Sequence, residues 1–299
     1  MSGTERIRFE KPARTVEDQA RSLIADGLVA SAADVAALLQ RMSYYRFSGY
    51  AWPFRNEATG RFLAGTSVGD IATVIAFDEQ LRQIVWPAIE VVEVRLRRAF
   101  ADETSLVIGP MGYADAAHAH SPAAHARDLR KLAEALAESD EAFVAHFFDR
   151  YSDPVPPVWM ATEVMTLGLL SRWYDNLGSD SLRKSIAGHF ALPMPVLRSY
   201  LRQLTVIRNI CAHHSRLWNR RLSVTIKDIL GKPVELAEAT AGSDPHRIFR
   251  WLSITVYILD RIRPGHSYKD DLRAHLLANW ELAIQMDVPN GFENDALWR

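Results

Sequence analysis

The chain has 299 residues, of which 48% are hydrophobic and 24% charged, enough for a packed core and against a disordered chain. A formal net charge of −1 excludes a global basic field, so a nucleic-acid partner would have to be held by a local patch. The single cysteine, Cys211, excludes an intramolecular disulfide framework and any CxxC zinc motif, and residues 1–6 carry no apolar signal segment, so a reducing cytoplasm is expected.

In chain order, Thr15 with Asp18 forms a capping-box pattern at the head of a helix over 15–28, with Gly27 at its stop. Ser31 with Asp34 repeats the pattern before Val35, Leu38, Leu39 and Met42. Segment 44–54 is crowded with aromatic residues and broken by Gly49 and Pro53, and reads as a packed connector. Apolar residues at three-and-four spacing predict the longest helix over 70–104, which Pro87 should kink or divide. Residues 109–122 read as a loop, and 123–137 and 141–151 as helices.

The proline-rich 152–157 is a rigid break. Helices are expected beyond it over 158–176, 181–190, 195–217, 245–262 and 268–285, and 222–226 is the one modest strand candidate. The tail 289–299 is too polar for a helix, but its Leu297-Trp298 end is expected to dock on the body. The most apolar stretch, 155–170, contains Glu163 and is too short to span a bilayer, so no membrane partner is expected. The expected architecture is an all-α bundle, with an N-terminal helical and aromatic segment at 1–65 packed on a helical domain at 66–299.

The helix from Pro195 carries the chemistry. Val196, Leu197, Tyr200, Leu201, Leu204 and Ile207 make a buried stripe that Ile210, Cys211 and Leu217 continue, so Cys211 packs rather than reacts. Asn209 and His213 are four apart on one face, and Arg208 is one step around from Asn209. A guanidinium, an amide and an imidazole on one polar surface suit RNA cleavage by internal attack. Histidine, with an ordinary pKa of about 6.5, can take the ribose 2′-hydroxyl proton, and arginine can stabilise the phosphate in the transition state. Such a reaction needs no metal or other cofactor. The plain alternative is a solvated polar helix face.

Other residues stay open between two readings. Glu90, Glu93 and Arg97 make either an intrahelical ion-pair ladder or a set facing Arg208. Arg95, Arg97 and Arg98, with Arg216, Arg220 and Arg221, would form a phosphate-binding rim if folded together, and Arg202 is a further candidate RNA contact. His214 is nearly opposite Asn209 and is read as making a structural hydrogen bond. His118, His120 and His125 match no strong zinc spacing. Trp52, Trp86, Trp159, Trp173, Trp251 and Trp280 fall in apolar patterns and are read as core, although an exposed one could stack on a base.

Arg208 through His213 matches the Arg-x-x-x-x-His signature of HEPN ribonucleases, and the longer run from Ile207 to Arg220 resembles the Abi family linked to abortive phage infection. The tyrosine-rich Tyr44–Tyr50, the helix with Phe77–Arg82 and Ile89–Arg97, and the closing Gly291–Trp298 resemble that family too, so the likeness spans roughly residues 15–299. Glu79-Gln80 stand where family members usually carry a basic residue or two. The resemblance implies a HEPN-type bundle with additional N-terminal helices, acting as a homodimer with a composite cleft. It implies a metal-independent endoribonuclease of the toxin or phage-defence type, able to bind a substrate RNA and a regulatory or antitoxin RNA. Carried over residue by residue, Arg208 and His213 become the catalytic pair and Asn209 the supporting polar residue of the site. From their own positions, His214 and Glu93 are read as supporting it. A non-catalytic RNA-binding module and a purely structural bundle remain as competing readings.

Overall fold

The computed structural model of the chain describes Arg8 and residues 12–299; the reading of residues 1–6 falls outside them. Among the described residues the elements are α-helices and short 3-10 turns, with isolated bridges in place of any strand, as an all-α chain requires. The chain divides into two compact units, 1–79 and 80–299.

In the first unit, α1 (Val16–Ala25) and α2 (Ala32–Arg41) start where the sequence says they should. The Thr15 hydroxyl accepts from the Asp18 N–H and the Ser31 hydroxyl from the Asp34 N–H. The aromatic segment is a helix, not a connector: α3 (Tyr44–Ala51) is capped by Ser43, whose hydroxyl accepts from the Arg46 N–H, and a 3-10 turn at Trp52–Phe54 follows. Three-and-four spacing buries Phe47, Tyr50 and Ala51 and leaves Tyr45 exposed. Tyr50 donates to the fully buried Asp78 carboxylate at 2.6 Å.

Helix α4 (Val68–Ile108) is 41 residues long, begins in the first unit and continues through Pro87 undivided. Proline removes the N–H that would bond the Gln83 carbonyl and crowds it, and Gln83 is exposed, so that carbonyl can tilt outward to water. Val85, Ala88, Ile89 and Val92 are buried on either side and hold the helix together.

The second unit continues with α5 (Pro122–Ala137), α6 (Ala142–Arg150), α7 (Val158–Val164), α8 (Leu167–Asn176), α9 (Asp180–Gly188) and α10 (Met194–Ala212). The expected helix over 158–176 is therefore two, because Met165 is extended and Thr166 caps α8 through the Leu169 N–H. Buried Asp128 of α5 takes a hydrogen bond from Arg172 of α8 at 2.8 Å. Beside them, Gly178 donates to the His118 carbonyl at 2.7 Å, and a Cβ on Gly178 would sit 2.9 Å from that oxygen. Gly178→Ala should therefore lower stability by about 1–3 kcal/mol in urea unfolding. An unchanged midpoint would refute this close approach.

The core of the unit is α12 (Ile248–Ile262), reached after the short α11 (Val234–Ala239). Its residues are buried all round from Ile248 to Leu259, as for a helix enclosed by others. Tyr200 of α10 stacks on Trp251 and shares a 3.0 Å hydrogen bond with Thr255. The strand expected at 222–226 is irregular chain, because long-range side chains take its backbone groups. Gln203 donates to the Val224 carbonyl at 2.7 Å, buried Arg250 to the Ile226 carbonyl at 3.1 Å, and the Lys227 N–H to the Ser199 hydroxyl at 2.9 Å.

The helix expected over 268–285 breaks at Asn279 into α13 (Tyr268–Ala278) and α14 (Trp280–Ala283). The tail docks as expected. Trp298 is 0% exposed, stacked on Phe249 and edge-on to Phe292. Lys269 and Arg273 of α13 donate to the Leu297 and Trp298 carbonyls, each at 3.1 Å. Three of the tryptophans read as core are instead exposed: Trp52, Trp86 and Trp159. Their apolar neighbours make the helical pattern, but the indoles lie at its edge. Among the described residues no helix is long and apolar enough to cross a membrane.

Candidate functional site

The Arg-x-x-x-x-His motif lies at the C-terminal end of α10, which stops at Ala212 rather than running to 217. The His213 N–H bonds the Asn209 carbonyl at 3.0 Å, so His213 keeps the helical register as the cap. The His214 N–H then bonds the Cys211 carbonyl and the Ser215 N–H the Ile210 carbonyl, the paired bonds of a Schellman ending. His214 occupies the left-handed position at φ 52°, where glycine is usual. The structural hydrogen bond expected of its side chain is absent among the described residues. Its imidazole is exposed, and the contribution of His214 is the backbone turn. Arg82 of α4, buried, donates to the Ser215 carbonyl at 3.4 Å and so holds the chain just past the motif, a contact that sequence periodicity could not show.

Arg208 leaves α10 toward α4. Its side chain is 36% exposed, its Nε is 3.9 Å from Glu93 Oε2, and that Nε has no hydrogen-bond partner. Glu93 is committed elsewhere: its Oε1 accepts from Arg97 at 2.6 Å, and Arg97 also donates to the Thr162 carbonyl. Arg208 is thus oriented by a carboxylate that does not saturate it. These groups share a groove of about 300 Å³ with Trp86, Glu90 and Val94. Of the two readings of Glu90, Glu93 and Arg97, the facing one matches this geometry, although Glu93 and Arg97 are also an i,i+4 pair.

Asn209 and His213 are exposed and do not line this groove. His213 is five positions beyond Arg208, roughly 140° of rotation around the helix axis, so one chain presents them on different sides of the helix end.

The expected arginine rim does not assemble. Arg202 and Arg198 both pair with Asp175, Arg98 with Asp102 and Arg221 with Asp244, while Arg220 donates to the Arg216 carbonyl at 3.3 Å. These guanidiniums are held by acceptors of their own rather than turned together toward one site. Arg97, paired with Glu93, is the member of that set that reaches the Arg208 groove. Cys211 is buried.

Two further grooves flank α4. The larger, about 770 Å³, lies against the α12–α13 turn and includes Gln80, Gln83 and His266. The other, about 460 Å³, includes Arg95, Glu103 and His189. There, hydrogen bonds from His189 and Ser185 hold the Glu103 carboxyl below its usual range. Among the described residues no group of three or more His, Cys, Asp or Glu is placed to hold a metal ion. His125 is buried against the Tyr113 carbonyl at 3.0 Å.

A family model described as Abi-like protein matches residues 37–219, more than half of the chain and the whole of the motif. No curated protein and no solved structure matches.

Proposed function

The chain belongs to the Abi-like protein family, and from that premise we propose that it is an endoribonuclease of the abortive-infection, phage-defence type. The observation that carries this reading is Arg208, held in an open groove by a carboxylate that Arg97 already occupies, one helical step from exposed Asn209 and with His213 capping the same helix.

In the proposed reaction the His213 imidazole takes the proton from a ribose 2′-hydroxyl. The freed oxygen attacks the adjacent phosphorus, the P–O5′ bond breaks, and the 5′-oxygen departs as an alcohol on taking a proton from the imidazolium so formed or from water, leaving a 2′,3′-cyclic phosphate. Arg208 binds the phosphate and the charge that grows on its oxygens. Asn209 orients the phosphate or the imidazole. The rotation between Arg208 and His213 favours a site completed by a second copy of the chain, whose motif would face the first across a cleft. These groups suffice for the step without a metal.

The test uses purified protein and total cellular RNA in excess EDTA, with the new ends mapped. Wild type should leave 2′,3′-cyclic phosphate ends, and Arg208→Ala should cut about 10²- to 10³-fold more slowly. Absence of cleavage by wild type would overturn the nuclease reading. That His213 does not line the groove holding Arg208 favours one second reading, a non-catalytic RNA-binding module. Intact RNA copurifying with wild type and lost in Arg208→Ala would establish it.

A further inference from the structure

Trp86 is 41% exposed and lines the same groove as Arg208. One helical turn along α4, Glu90 lines it too, exposed and with no ion pair or hydrogen bond among the described residues. Glu93 and Arg97 are spent on each other, and Val94 adds an exposed apolar edge. The groove therefore presents a flat indole, a free carboxylate and a loosely held guanidinium, all in about 300 Å³.

We propose that this groove is a nucleobase subsite for single-stranded RNA that selects guanine. The base next to the phosphate on Arg208 stacks on Trp86, and Glu90 reads its Watson–Crick edge. An indole face accepts any base, so Trp86 supplies affinity without choice. The carboxylate supplies the choice, because an ionised carboxylate only accepts hydrogen bonds. Guanine offers two adjacent donors, N1–H and the 2-amino group, which match two carboxylate oxygens. Adenine and cytosine each offer one amino group beside a ring nitrogen that repels the second oxygen. Uracil offers one N–H between two carbonyls. A base within a duplex keeps its faces stacked and cannot enter, so the strand must be single. This inference rests on the RNA reading of the Arg208 site.

The experiment measures binding of fully 2′-O-methylated RNA hexamers, which cannot undergo internal attack, by fluorescence anisotropy in EDTA. The hexamers are uridine tracts with one central G, A, C or U. Wild type should bind the G hexamer about tenfold more tightly than the others. Trp86→Ala should weaken all four about five- to 150-fold, and Trp86→Phe should keep most of the affinity. Glu90→Gln should remove the guanine preference and leave the uridine hexamer unchanged. If binding needs Arg208 but is the same in Trp86→Ala and Glu90→Gln as in wild type, the subsite is overturned and the RNA reading stands. If wild type neither binds the hexamers at low salt nor cuts RNA, both fall. If Trp86→Ala shifts the sedimenting species to a smaller one with base affinities intact, this face is a contact between copies, and the subsite is overturned.

Discussion

His213→Ala is expected to slow RNA cleavage about 10²- to 10⁴-fold, the usual contribution of a positioned acid–base group. Stability should change by no more than about 0.5 kcal/mol, because the lost imidazole is exposed. The cap is made by the backbone N–H to the Asn209 carbonyl, which alanine retains. The pairing of a large kinetic effect with an unmoved melting curve is what separates a proton-transfer role from a structural one. Cleavage undiminished in the variant would remove His213 from the reaction.

Trp298→Ala is expected to cost about 3–5 kcal/mol, the range for deleting a fully buried aromatic side chain. In a thermal melt this is a fall on the order of 10 °C. The indole fills space between Phe249, at 5.8 Å between ring centres, and Phe292, at 5.1 Å. Its Nε1 has no hydrogen-bond partner, so Trp298→Phe removes no bond and should cost much less than alanine. A Trp298→Ala protein that melts like wild type would show that the docked tail adds nothing to the core.

What could be read from the sequence is what depends on neighbours in the chain. Thr15 and Ser31 announced their helices because an N-cap is satisfied within three residues. Ser43 and Thr166 carry the same signal, but aromatic crowding after the first and an unbroken apolar run around the second mask it. The end of α10 gave no warning, because its left-handed position holds His214 and not glycine. Residues 222–226 have the β-branched composition of a strand, but their hydrogen bonds come from Gln203 and Arg250. The motif itself was legible. Its surroundings were not: Arg208 meets Glu93 across 115 positions, and Arg202 is drawn off by Asp175. Each such pairing is decided by which acceptor the fold brings nearest.

The irregular chain after the motif has a consequence for what α10 can do. It is anchored at Ser215 by Arg82, at Val224 by Gln203, at Ile226 by Arg250 and at Lys227 by Ser199. A loop with so many fixed points has given up most of its conformational freedom on folding. The helix end carrying Asn209 and His213 is thereby preorganised, and any partner settling against it would lose less binding energy to the ordering of protein groups than it would against a free loop.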